Sequence, residues 1–320
     1  MEENSSVYLI GEDMLDPYGG AFKVARGLSS KFPERVITTP ISESAIIGLG
    51  TGMAMRGMLP VVEIMFGDFL TLCTDQIVNS ATKFPLMYKD RVTVPLVIRT
   101  PMGGGRGYGP THSQSLEKMF LGVPGLRVIS PSLAHDPGQL LRRAIISCGK
   151  PTLFVEYKSL YPKQLITSGD GFSLRIAEHE NDFPAAVLEN YSESDPDIII
   201  VAYGGASEQV LDVMRTLIEE EIKVRAIFPS ELTVGSNEPW WFSEISSNVP
   251  IILAEHGTMS FNWGSEIASL IHRFFFNKLA MPVTRLSSSD DVIPAASEKE
   301  KANLLSANQI MKSIFHCLES

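Results

Sequence analysis

The feature that most restricts this chain is a set of short, β-branched apolar runs without polar alternation: VYLI at 7–10, VVEIM at 61–65, VPLVIR at 94–99, LRVIS at 126–130 and TLFVE at 152–156. A strand open to water on one face alternates apolar and polar residues, whereas a strand covered on both faces need not. Between the runs lie ESAIIGLGTGMAMRGM (43–58), DFLTLCTDQIVNSATKF (68–84) and HDPGQLLRRAIIS (135–147), with apolar residues at helical spacing. Strands alternating with helices predict parallel sheets sandwiched between helices, an α/β fold of three layers.

From Tyr161 to Pro196 the alternation lapses, and it restarts with DIIIVAYGG at 197–205. A helix follows over about 206–219, with Val210, Val213, Met214 and Leu217 on one face. Then come KVRAIF, VPIILAE, a helix near 264–275 and MPVTRL. The pattern predicts two α/β domains, 1–165 and 196–320, with an interdomain connection over 166–195. At 320 residues and 44% hydrophobic content the chain can supply both cores.

The net charge of -10, with Lys and Arg dispersed, argues against a nucleic-acid partner, which requires a clustered basic surface. No stretch reaches the roughly 18 consecutive apolar residues of a membrane span, and MEENSSVYLI lacks the layout of a secretion signal. Cys73, Cys148 and Cys317 are widely spaced and form no CxxC, so neither a disulfide framework nor a cysteine-rich zinc site is expected. A reducing, cytoplasmic setting fits this composition.

The loop GGGRGYG at 103–109 can expose backbone N–H groups to a ligand. A phosphate loop would need GxxxxGK[ST] opening a helix, and a dinucleotide loop would lead directly from strand to helix; this one continues through Pro110 to THSQ. Its phosphate signal is therefore weak. His112 follows a strand end, where open parallel sheets bind ligands, yet a lone histidine serves equally well as a structural hydrogen-bonding residue. Glu43, in TTPISE, can either complement a helix dipole or face the same crevice, and from the residues alone the dipole role is favoured. Metal spacings such as HExxH and the nucleophile signature GxSxG are missing, so no metal ligands are predicted.

Several segments in order, GEDMLDPYGGAFKVARGL, TTPISESAIIGLGTGMAMRGMLPVVEIMFGDFL, DQIVNSATK, RTPMGGGRGYGPTHSQSLE, VPGLRVISPS and FVEYKSLYP, resemble the β subunit of the thiamin-diphosphate-dependent 2-oxoacid dehydrogenases. The resemblance is dense over 7–162 and continues through AEHGTMSFNWGSEIA. It implies a transketolase-like pyrimidine-binding domain followed by a transketolase C-terminal-type domain. It also implies thiamin diphosphate shared with an α-type subunit that carries the magnesium ion and the diphosphate motif, in an α₂β₂ assembly. A small 2-oxoacid would be decarboxylated and its acyl group transferred, with a lipoyl-bearing acyltransferase as a further partner.

Residue by residue, the resemblance implies that Glu43 bonds the pyrimidine ring nitrogen of the cofactor and that Phe69 stacks on that ring. Ile41 and Met65 would line the pocket, and Glu12 would lie near the passage between paired sites. His112 would bond the substrate carboxylate or transfer protons, for which a near-neutral imidazole is suited. The match begins at the first strand with little of the helix that precedes it in relatives, which implies a reduced contact there. Ser147, Cys148 and Gly149 bring little negative charge where relatives hold potassium, so that cation is not expected. VIPAASEKEKANLL departs from the family's proline, aromatic and glutamate pattern near the C-terminal interface. Two other functions stay open: a two-component carboligating or acyl-transferring enzyme, and a non-catalytic scaffold subunit.

Overall fold

The computed structural model describes the chain except Cys148, Asn181, residues 192–194 and Ser320. The first sheet contains β1 (Val7–Gly11), β2 (Val36–Thr38), β3 (Leu59–Glu63), β4 (Val97–Met102), β5 (Arg127–Ile129) and β6 (Thr152–Tyr157), in the order β2-β1-β3-β4-β6-β5. β1 runs parallel to both neighbours, with Leu9 opposite Val36 and Val61. β3 and β4 are parallel, as are β5 and β6. Ile10, Val62 and Ile98 are fully buried, as expected of strands covered on both faces.

The second sheet contains β7 (Ser173–Ala177), β8 (Ala185–Glu189), β9 (Ile198–Ala202), β10 (Val224–Pro229), β11 (Ile251–Thr258) and β12 (Thr284–Ser288), in the order β12-β11-β9-β10-β8-β7. β9 is parallel to β10 and β11, whereas β8 is antiparallel to β10 and to β7. Every residue of β9 is fully buried. The helix over Ala206–Glu219 packs Val210, Val213, Met214 and Leu217 into the same core as Ile200, Ala226 and Ile314.

β7 and β8 lie within the stretch that reads as a connection. Their sequences conceal them: SLRIA is largely exposed at the sheet edge, and AAVLE is rich in alanine, a weak strand former. β2 is only three residues long. The helical stretch at 68–84 is interrupted by a π-helical segment over Gln76–Ala81, and a new turn starts at Phe84–Met87 with Pro85 near its beginning, where a missing N–H costs nothing.

The chain divides into two compact units. One comprises Met1–Met102, Met119–Ile129 and Gly138–Glu156; the other comprises Gly103–Lys118, Ser130–Pro137 and Tyr157–Ser320. The glycine loop after β4 thus belongs with the second unit. Within the first unit, Gly50 lets the helix Glu43–Met55 approach its sheet closely: an added Cβ would fall 2.7 Å from Val62 Cγ1 and 2.9 Å from Leu96 Cδ1. That helix begins just beyond the carboxyl ends of β1 and β2, where Thr39 N donates to Gly11 O at 2.9 Å. Among the described residues no helix is long and apolar enough to cross a membrane.

Candidate active site

Glu12 follows the end of β1, and Glu43 is the first residue of the helix Glu43–Met55; both are buried. The Ser42 N–H donates to the Glu12 carboxylate, but Glu12 Oε1 has no hydrogen-bond partner among the described residues. Burial first, and then the charges of Glu43, Asp13 and Glu63, raise the Glu12 carboxyl above its ordinary value. Cys73, buried beside them, has its thiol pushed up to about 12 by burial, then by the charges of Glu43 and Glu12.

The helix dipole favours a carboxylate at this position by about 0.3–1 kcal/mol. An unsatisfied buried polar group costs about 1–3 kcal/mol, and more if it is charged. The dipole therefore does not explain the pair. A ligand that brings hydrogen-bond donors would.

The neighbouring wall is apolar. Ile41 is 79% exposed, while Met65 and Phe69 are half-buried. Phe69 ends a single 3₁₀ turn (Gly67–Phe69) and meets Phe66 edge-on at 6.0 Å; Phe66 in turn meets Phe22 at 5.5 Å. Gly67 allows this turn to sit against Met102, whose Cγ would lie 2.3 Å from an added Cβ. Beside the wall, and unsuspected from the sequence, Arg99 on β4 bridges two buried acids. It donates to both carboxylate oxygens of Glu156, at 2.9 and 2.8 Å, and to Glu63 Oε2 at 2.9 Å. The sequence hid these acids, since each reads as one polar residue in an apolar run.

His112 lies in the second unit, half-buried, with its Nδ1 3.0 Å from Thr111 Oγ1. Glu12, Ile41, Glu43, Met65 and Phe69 lie in the first. The loop leading to His112 has a left-handed glycine at every second position: Gly103, Gly105, Gly107 and Gly109, with φ of 84, 91, 70 and 80°. Alternation of this kind turns successive N–H groups to one side and forms an anion nest. Here the nest holds the chain's own Glu300: Gly105 N donates to Oε1 at 2.9 Å and Gly107 N to Oε2 at 2.8 Å.

Below His112 in sequence, Glu117 is buried and its Oε1 accepts from the hydroxyls of Tyr157 at 2.9 Å and Tyr203 at 2.6 Å. Tyr203 Oη also lies 3.2 Å from Glu255 Oε2, and Gly264 N donates to Glu255 Oε1 at 2.7 Å. Burial is the chief cause that pushes Glu255 up to about 7. Among the described residues no three His, Cys, Asp or Glu side chains are placed to hold a metal ion. Cys73 and Cys317 are free and buried, and Cys148 lies outside the described residues, as does part of the region considered for potassium.

Residues 1–164 match the transketolase pyrimidine binding domain, and residues 189–310 match the transketolase C-terminal domain. The chain is 32% identical over 325 residues to the pyruvate dehydrogenase E1 component subunit beta of Porphyra purpurea, covering all of this chain and 93% of that protein. It belongs to the transketolase-like family of 2-oxoacid dehydrogenase E1 β subunits. A second member, the 2-oxoisovalerate dehydrogenase subunit beta of Bacillus subtilis, is 31% identical, covering 97% of this chain and 92% of the relative. Among solved structures, a chain described as "Split gene transketolase, inactive beta4 tetramer" superposes with a TM-score of 0.68 at 18% identity, covering 99% of this chain and 93% of the other. That likeness concerns the fold, and the two-domain architecture expected from the sequence resemblance is the one this family has.

Thiamin diphosphate is the cofactor expected for the family. The first unit suits its aminopyrimidine end: the buried acids Glu12 and Glu43, with Glu12 Oε1 lacking a partner among the described residues, and a half-buried aromatic ring at Phe69.

Proposed function

We propose that this chain is the β subunit of a heteromeric thiamin-diphosphate enzyme that decarboxylates a 2-oxoacid and passes the acyl group to lipoamide. The observation that carries the reading is the buried pair Glu12 and Glu43. These like-charged groups stand at the end of β1 and the start of the following helix, with Glu12 Oε1 lacking a partner among the described residues. An α-type partner supplies the magnesium and diphosphate site and completes an α₂β₂ assembly.

When bound, thiamin diphosphate supplies the nucleophilic carbon and the electron sink for decarboxylation. Glu43 would donate its carboxyl proton in a hydrogen bond to the pyrimidine ring nitrogen, which favours the reactive tautomer. Phe69 offers the face of its ring to the pyrimidine, and Ile41 and Met65 exclude water beside it. Glu12 shares the electrostatic environment of Glu43 and tunes how firmly that proton is held. His112 bonds the substrate carboxylate and moves protons during acyl transfer.

The test is co-expression with an α-type subunit, followed by thiamin-dependent decarboxylation of a panel of 2-oxoacids and acylation of a lipoyl domain. Glu43→Gln lowers decarboxylation by about 100-fold or more, the loss typical of a removed proton-transfer group. Phe69→Ala weakens cofactor binding by about tenfold. Wild-type decarboxylation in the Glu43 variant rejects the mechanism, and decarboxylation without lipoyl acylation rejects the acceptor.

A further inference from the structure

The glycine loop raises a question that its resemblance to relatives does not answer: what fixes its shape? Four left-handed glycines give the segment freedom to adopt many conformations, so the glycines permit the observed path without enforcing it. The enforcing group comes from far along the chain. Glu300, buried in the short helix Ser297–Asn303, extends both carboxylate oxygens into the loop, one to each of the N–H groups of Gly105 and Gly107. Gly104 fits over it so closely that an added Cβ would lie 3.0 Å from Glu300 Oε1 and 3.0 Å from Leu304 Cδ1.

The remaining restraints lead to His112. Gly103 N donates to Gln114 O at 3.1 Å, closing the base of the loop, and His112 N donates to Gly109 O at 3.3 Å. Arg106 donates to Lys158 O at 2.8 Å. Small Ala295 lies against the far side, where an added Cβ on Gly109 would be 3.4 Å from Ala295 Cβ. The helix that bears Glu300 is itself anchored at the end of β12: Ser289 N donates to Asn303 O at 2.9 Å, and Leu305 N to Ser288 Oγ at 3.2 Å.

We propose that Glu300 is a positioning residue: its carboxylate fills the anion nest of the loop over 103–109 and thereby sets where His112 is presented to the substrate. The nest is consequently not a phosphate site, because its seat is taken by the protein. Both oxygens are required. A glutamine can accept one of the two N–H groups, but its amide nitrogen then meets the other donor to donor. The stretch VIPAASEKEKANLL thus provides both the clamp at Glu300 and the small residue at Ala295.

The role assigned to Glu300 rests on that proposed for His112, and the test separates the two. In the complex of this chain with its α-type partner, amide hydrogen exchange at Gly105 and Gly107 is measured first in the unaltered chain. Protection at Gly105, a solvent-exposed glycine, supports the clamp, and exchange at the free-peptide rate overturns it. Glu300→Gln then speeds exchange at both amides by about tenfold or more and lowers kcat by about tenfold, with cofactor Kd and substrate KM within about twofold. The double variant with His112→Ala is no slower than His112→Ala alone, whereas a general packing defect would add its own loss. Full activity of His112→Ala rejects the histidine's role and leaves the exchange result to judge the clamp. Loss of activity in His112→Ala together with unchanged exchange in Glu300→Gln rejects the clamp alone.

Discussion

The Tyr203 hydroxyl lies 2.6 Å from Glu117 Oε1 in the interior of the second unit. The same oxygen is 3.2 Å from Glu255 Oε2, and a phenol has a single proton to give. Glu117 already gathers a second hydroxyl, from Tyr157, so the Tyr203 proton points to Glu117. The longer contact, to Glu255 Oε2, is the weaker arm of the same hydroxyl, which donates to that carboxylate as well. The Tyr203 bond lowers the Glu255 carboxyl, but burial outweighs it and pushes the group up to about 7.

A stability signature follows from Glu255. Its unfolded carboxyl ionises near 4.5 and its folded carboxyl near 7, so between those values the folded state holds the extra proton. Stability from this group is therefore full below about 4.5 and is lost as pH rises through about 7. Glu255→Gln removes this dependence. In urea unfolding, wild type loses stability relative to the variant by on the order of 2–3 kcal/mol between acidic and mildly alkaline pH. A difference that stays constant with pH contradicts the assignment.

The two tyrosines differ in what their removal leaves behind. Tyr203→Phe leaves Glu117 and Glu255 facing each other without the hydroxyl between them, and destabilises the chain by about 2–4 kcal/mol. Tyr157→Phe leaves Glu117 with its Tyr203 bond and costs about 1 kcal/mol. Chemical denaturation of the two variants ranks them. Equal losses mean that the Tyr203 bridge has no special weight.

Arg99 makes a sharper case, since its charge is shared between two buried carboxylates on neighbouring strands. Replacing it with methionine keeps most of its volume but strands Glu63 and Glu156. Arg99→Met should cost about 3–5 kcal/mol, the range for breaking a buried ion pair from one side. The triple replacement of Arg99, Glu63 and Glu156 by apolar residues of similar size should recover much of that loss. Failure to recover shows that packing, and not stranded charge, dominates.

What the sequence reveals follows from how local each cause is. The buried parallel strands were legible because double-sided burial requires unbroken apolar runs such as DIIIVA, and Val210, Val213, Met214 and Leu217 mark their helix by spacing alone. β7 and β8 were not legible, because β8 is held by pairing with β10, and β7 by pairing with β8, and not by residues that favour strands on their own. Within the site, Glu43 was visible as an acid opening a helix, but its burial beside Glu12 depends on how β1 and that helix meet. Glu300 was hidden for the same reason, being nearly two hundred residues from the glycines it binds. The tyrosines of YGG and VEYKSLYP gave no local hint that both end on Glu117. The closeness required at Gly204 and Gly205, where an added Cβ would fall 2.4 Å from Tyr157 Cε2 and 2.6 Å from Tyr157 Cδ1, reports the packing of Tyr157.

Glu12 offers a test of whether the first unit keeps an unfavourable arrangement for the sake of a ligand. Burial and the charges of Glu43, Asp13 and Glu63 all raise its carboxyl, outweighing the Ser42 N–H that lowers it. The folded state thus holds the Glu12 proton more tightly than the unfolded state, and stability from this group falls as pH climbs past the ordinary carboxylate range. Glu12→Gln removes one negative charge from the cluster and keeps the side chain's shape. At pH 7 the variant should melt at a higher temperature than wild type when no cofactor is present, and the gain should shrink toward pH 4. Added thiamin diphosphate, in the presence of the α-type partner, should raise the melting temperature of wild type more than that of the variant. A lower melting temperature in the variant at pH 7 would mean that Glu12 is satisfied within the chain, and that the strain read from its unpartnered Oε1 is not there.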